Sequence, residues 1–148
     1  MGLRLNPHDI IPESLAVQAM RDNGYKNAAY AIAILRDKLQ HSLQTQIPNL
    51  VVNGDLNNRL SGNLHISIPG IPNSAIIARV RTLLAISTGA SCSSGTMAPS
   101  HVLQAMNLSE NITQGALRIG IGKFTTKQEI DKASSKLINA FNKIDQLI

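Results

Sequence analysis

Two residues in this sequence are of a type and in a setting suited to chemistry: Cys92 and Arg118. Cys92 is the chain's single cysteine. A lone cysteine is commonly a small buried hydrophobe, but the surroundings of this one argue otherwise. Its neighbours Ser91, Ser93, Ser94 and Gly95 are small and polar, and no apolar periodicity runs through them. A thiol in such a loop can swing out and present its sulfur as a nucleophile. No Lys, Arg or His adjoins it in sequence, so activation must come from groups brought near by the fold. With one cysteine, an intrachain disulfide and a multi-cysteine metal site are both excluded.

Arg118 sits in an alternating run. Leu117, Ile119 and Ile121 are apolar, and Arg118, Gly120 and Gly122 fall between them. Period two places Arg118 on the face opposite the core, and the flanking glycines leave that face open. A planar guanidinium there suits a two-point grip on a carboxylate. Spacing alone fits a surface arginine paired with an acid equally well. The histidines are His8, His41, His65 and His101, and none has ligand-like spacing to another His, Asp or Cys. His65 reads as a polar-face residue of a strand, and His101 as a local hydrogen-bonding residue near the Cys92 loop. Gly120-Ile121-Gly122 is too short a pattern for a phosphate loop.

The elements that must position these residues follow from periodicity. Residues 1–12, with Pro7 and Pro12, have no pattern and read as a flexible arm. A helical pattern runs from about Glu13 to Ser42 with a break at Asn23-Gly24. After the break, Ala28, Ala31, Ile32, Leu35 and Leu39 share one face. Pro48 ends it. Leu50-Val51-Val52 is a short strand stopped by Asn53-Gly54-Asp55, and Leu64, Ile66 and Ile68 alternate as a half-buried strand. Asn73 or Ser74 is placed to cap a helix carrying Ile76, Ile77, Val80, Leu83 and Leu84. Ala85 to Thr88 reads as a short strand, and residues 89–98 as a mobile loop around Cys92. Pro99 suits the first turn of a short helix with Val102, Leu103 and Met106. Thr126 and Glu129 form a capping box that opens a final helix with Ile130, Ala133, Leu137, Phe141, Ile144 and Ile148 on one face. Helices on a small sheet define an α/β (α+β) sandwich, and residues 1–148 read as one domain.

Composition narrows the function classes. Hydrophobic residues make up 43 % of the 148 and charged residues 16 %, which describes a globular chain. Without Trp, and with two Phe and two Tyr, the core must come from Ile, Leu, Val and Ala. The net charge of +5 is dispersed, and its densest set (Lys127, Lys132, Lys136, Lys143) reads as a solvated helix face. Few aromatics are available to stack on bases, which argues against a nucleic-acid partner. No apolar stretch approaches the ~20 residues of a membrane span, and the first residues lack a signal-peptide pattern. A soluble cytoplasmic protein is the expectation.

Three stretches together carry a family resemblance. Ser87-Thr88-Gly89-Ala90-Ser91-Cys92-Ser93-Ser94 resembles the active-cysteine loop of group I, NifS-like cysteine desulfurases. Pro99-Ser100-His101-Val102-Leu103-Gln104-Ala105-Met106 resembles the helix that follows that loop, and the step from Cys92 to Pro99 fits the long-loop group. Ala116 to Thr126 resembles the strand and helix start near the family's C-terminus. Weaker matches run through Val51 to Asp55 and Asn63 to Pro69, so the resemblance covers about Ala33 to Ile148.

The resemblance implies the C-terminal small domain of a fold-type-I pyridoxal phosphate enzyme. Such enzymes are usually homodimers. They convert L-cysteine to L-alanine, hold the sulfur as a persulfide and pass it to an acceptor, commonly an iron–sulfur scaffold protein. By position, Cys92 would be the thiol that takes the sulfur and Arg118 would bind the substrate carboxylate. The family's cofactor-anchoring Lys, its pyridine-facing Asp and its stacking His belong to a large N-terminal domain that a chain of this length has no room for. Lys26, Lys38, Lys123, Lys127, Lys132, Lys136 and Lys143 do not stand in the family's Ser-His-Lys context. No cofactor-binding residue is therefore assigned in this chain. Ala98 and Lys123 also depart from common family residues. The implied protein is a desulfurase lobe that is inactive alone and needs a complementary cofactor-bearing domain or chain. The alternative is a non-enzymatic remnant acting as a sulfur relay or binding module. An aminotransferase small domain is a third reading, disfavoured by the thiol loop. An apolar patch is expected where the missing domain would pack.

Overall fold

The structure is a computed structural model describing residues 25–88 and 100–148. The expected arm at residues 1–12, the first half of the expected N-terminal helical pattern, and the residue 89–98 loop with Cys92 lie outside the described residues. The described elements are α1 (Tyr25–Gln46), β1 (Val51–Val52), β2 (Asn63–Ser67), α2 (Asn73–Val80), α3 (His101–Ala105), α4 (Glu110–Gln114), β3 (Ala116–Gly120) and α5 (Lys127–Asp145). The strands form one antiparallel sheet in the order β1-β2-β3. This is the mixed α/β layering expected from the pattern.

Alternation explains the sheet's two faces. Leu64 and Ile66 of β2 and Leu117 and Ile119 of β3 are buried on one face. There they meet Leu39, Leu43 and Ile47 from α1 and its end, Ile76 and Val80 from α2, and Ile130, Leu137, Phe141 and Ile144 from α5. All three longer helices thus cover the same side. The core is aliphatic with one phenylalanine, as the composition requires. Polar pairs tie α1 to α5 at its margin: Lys38 to Asp131, and Ser42 to Ser134. At Gly115, just before β3, a Cβ would stand 2.3 Å from the Ile68 carbonyl oxygen. Only glycine lets the chain pass this close and start β3 in register.

Several expectations are corrected. The first helix runs past Ser42 to Gln46. Pro72, not Asn73 or Ser74, is the N-cap of α2 and makes no side-chain cap. The Asn73 amide instead donates to the Ala116 carbonyl, a long-range tie to β3 at 2.9 Å. Leu83 lies beyond α2 and is exposed. Ala85 to Thr88 forms no strand, only a single bridge from Ser87 to Arg118. Val102 and Met106 are exposed, and Leu103 alone of that helix is buried. Ile148 is beyond the end of α5 and is 85 % exposed. The capping box holds as expected: Thr126 Oγ1 accepts from the Glu129 N–H, and the Glu129 carboxylate accepts from the Thr126 N–H. These bonds hold the Glu129 carboxyl below its ordinary value.

Candidate functional site

The face of the sheet away from the helical core carries a cavity of about 410 Å³. Arg118, His65, Asn53, Arg59, Leu103 and Ser100 are among the residues lining it. Arg118 stands where period two placed it, exposed on β3 between buried Leu117 and Ile119. Among the described residues its side chain has no hydrogen-bond or ion-pair partner.

Sheet register adds what period two could not. His65 of β2 lies directly opposite Arg118. The backbone N–H and C=O of Arg118 both turn away from β2 and bond to Ser87, at 2.7 and 3.2 Å. The His65 carbonyl turns the other way and accepts from the Asn53 N–H at 2.9 Å. His65 and Arg118 are therefore a non-hydrogen-bonded pair, the closer kind, with Cα atoms about 4.5 Å apart. Asn53, His65, Arg118 and Ser87 form one row across the sheet. The Asn53 amide donates to His65 Nδ1 at 3.0 Å and to Ser67 Oγ at 2.8 Å. Ser67, which accepts that bond, is fully buried. Burial first, and then the Arg118 charge, hold the His65 imidazole below its ordinary value.

The loop between β1 and β2 forms one wall. Gly54 takes a φ of +91°, the turn expected from Asn53-Gly54-Asp55. The Asp55 carboxylate then accepts from the N–H groups of Asn57 and Asn58 and from the Asn58 amide. These bonds hold it below the usual carboxylate range. Further along, Arg36 of α1 reaches across and donates to the Leu60 and Ser61 carbonyls. Asp37 bridges Arg36 and Arg59, at 2.8 and 3.1 Å. Burial, followed by the neighbouring Arg36 charge, pulls Arg59 below the ordinary arginine value. Sequence reasoning missed Asn53 and Arg59 as site residues, because both sit in a loop without periodicity.

Chemically, the cavity brings cationic, anionic and neutral polar groups together, since Asp55 lines it beside Arg59 and Arg118. It offers the guanidinium of Arg118 and the imidazole of His65, with apolar surface from Val102, Leu103 and Met106 along the side. Among the described residues no group of His, Cys, Asp or Glu is placed to hold a metal ion. Pyridoxal phosphate, implied by the resemblance, needs a lysine amine in the site. The described lysines stand elsewhere. Lys38 pairs with Asp131, Lys123 lies over the Phe124 ring at 4.8 Å, and Lys127, Lys132, Lys136 and Lys143 belong to α5. None lines the cavity, so the described residues do not fit the cofactor. None of the described helices is long and apolar enough to cross a membrane.

A small antiparallel sheet with helices on one face and an arginine-bearing cavity on the other defines the class: a small mixed α/β lobe. Comparison with known proteins then gives the family. The chain is 35 % identical over 113 residues to the cysteine desulfurase IscS of Ehrlichia chaffeensis, covering 76 % of this chain and 27 % of that protein. It is 32 % identical over 143 residues to the cysteine desulfurase IscS of an Anaeromyxobacter species, covering 97 % of this chain and 35 % of that protein. Among solved structures, a NifS-like protein superposes with a TM-score of 0.67 and 26 % identity over 79 % of this chain. No family model matches. The chain belongs with the cysteine desulfurases, as a relative of their C-terminal portion. It spans only about a quarter to a third of the length of these relatives.

Proposed function

We propose that this chain is the sulfur-accepting lobe of a cysteine desulfurase, with Arg118 binding the carboxylate of L-cysteine and Cys92 receiving its sulfur. The observation that carries this reading is the Arg118 guanidinium, without a partner among the described residues, in a cavity flanked by both described ends of the Cys92 loop. Ser87 bridges to Arg118 on one side, and Ser100 lines the cavity on the other. Cys92 follows Ser87 by five residues. Covalent reach therefore keeps it within about 17 Å of that bridge.

The net step balances without an outside oxidant or reductant. The Cβ–S bond of L-cysteine breaks and the sulfur joins the Cys92 thiol. L-alanine leaves, its carbon reduced as the sulfur pair becomes a persulfide. When bound, pyridoxal phosphate supplies the electron sink that such bond cleavage needs. In this reading a complementary domain or chain provides it, with its lysine. The lobe's own residues orient the substrate, exclude water along the Val102 and Met106 side, and carry the sulfur away. By family analogy the work is cytoplasmic, the assembled enzyme is a homodimer, and the acceptor is an iron–sulfur scaffold protein.

The test is to assay sulfide, L-alanine and Cys92 persulfide with L-cysteine and pyridoxal phosphate. The purified chain alone is expected to show no turnover. Adding the cofactor-binding N-terminal portion of a matched relative is expected to restore it, and Cys92→Ala or Arg118→Gln to abolish it. Turnover by the chain alone would overturn the need for a second lobe. Restored turnover that survives both substitutions would overturn the residue assignments, and no restoration would overturn the lobe reading itself.

A further inference from the structure

The geometry points to His65 as a second carboxylate-binding residue, whose Nε2–H joins the Arg118 guanidinium in holding one carboxylate. The inference rests on the reading of Arg118 just given and extends it to a residue on another strand.

Three observations carry it. First, His65 and Arg118 are a direct non-hydrogen-bonded pair, which brings their Cβ atoms to about 5 Å. Both side chains line the same cavity. Second, the tautomer is set from behind. Asn53 donates to Nδ1, so the neutral ring carries its proton on Nε2. The Asn53 Oδ1 is buried without a partner. Reversing the amide would instead leave two buried donors unpaired, the costlier arrangement. Third, among the described residues Nε2 has no hydrogen-bond partner, so this donor is free for a ligand. A carboxylate has about four lone-pair positions. A two-point grip by Arg118 leaves room for a third donor.

Charge coupling gives this role a signature that a purely structural histidine would not have. The charged groups facing His65 are Arg118 on β3 and, on the cavity's loop wall, Arg59 and Asp55. With the cavity empty of anion, Arg118 opposes an imidazolium beside it. A carboxylate seated between the two reverses that sign. Binding must therefore raise the His65 pKa, and by linkage lower pH must tighten carboxylate binding.

The experiment uses the whole chain, labelled with ¹⁵N in histidine and arginine, and L-alanine as a thiol-free carboxylate probe. The imidazole nitrogen shifts are expected to report the Nε2–H tautomer. The His65 midpoint is expected to move up as L-alanine is added, while the Arg118 side-chain signals shift. His65→Phe is expected to weaken binding about tenfold. His65→Gln, which keeps a donor, should retain most of the affinity and lose its rise at low pH. Amide spectra of both variants report whether the fold is kept. An unmoved His65 midpoint while Arg118 responds would overturn the inference and leave the Arg118 reading standing. So would wild-type affinity in a folded His65→Phe. Undiminished binding in Arg118→Gln, or no binding at all, would overturn both.

Discussion

At the scale of single residues, the site sets an imidazole directly beside a guanidinium. His65 is half-buried against Asn53 and faces Arg118, and both effects disfavour its protonation. Its folded pKa therefore lies below that of the unfolded chain, ordinarily about 6.5. Between the two values the unfolded state binds more protons, so stability rises with pH there. His65's contribution is complete above about pH 6.5 and is lost as pH falls through its folded value. Denaturant melts of wild type and His65→Gln across this range should show the wild type losing more stability on acidification. Parallel curves would place the pH dependence elsewhere. Period two made Arg118 legible in the sequence, because Leu117 and Ile119 fix which way it faces. His65 was visible as a polar-face strand residue but not as its partner. Pairing register depends on contacts between residues 53 positions apart, and no local pattern encodes it.

At the scale of elements, long amphipathic segments were readable and short ones were not. The α5 helix carries a full apolar stripe and a reciprocal capping box, and it forms with those bounds set by Thr126 and Asp145. Thr126→Ala leaves the Glu129 N–H without its acceptor and is expected to cost about 1 kcal/mol. Urea denaturation measures this directly, and an unchanged midpoint would mean that water caps the helix equally well. By contrast, α4 has five residues, none of them buried, and it offered no period to read. The segment at Ala85 to Thr88 read as a short strand. It makes only the Ser87 bridge, and that bridge delivers the chain to the cavity beside Arg118. The loop between β1 and β2 was legible at its turn, where Gly54 takes positive φ. Its anchoring by buried Arg36 was not, since that arginine lies on α1 and its acceptors are backbone carbonyls.

At the scale of the whole molecule, one side is finished and the other is open. The helices bury one face of the sheet in a continuous aliphatic core. The opposite side exposes Leu60 at 78 %, Val102 at 54 % and Met106 at 40 %, and all three also line the Arg118 cavity. Scattered exposed leucines are ordinary. Three converging on one cavity fit a surface that packs on another domain, and the chain spans only 27 % to 35 % of its matched relatives. The desulfurase reading therefore places the complementary lobe over this mouth. Leu60→Asp tests the placement, because Leu60 contributes little to the lobe's own core. Its unfolding free energy should stay within about 0.5 kcal/mol of wild type. Association with the cofactor-binding portion, followed by calorimetry or by restored turnover, should fall sharply, since a carboxylate would be buried against apolar surface without a partner. A control at exposed Phe124, also substituted by Asp, lies outside the residues that line the cavity. Loss of association at Leu60 but not at Phe124 assigns the docking face to the cavity mouth. Loss at Phe124 alone moves that face to the turn before α5 and leaves the cavity open to solvent in the assembled enzyme.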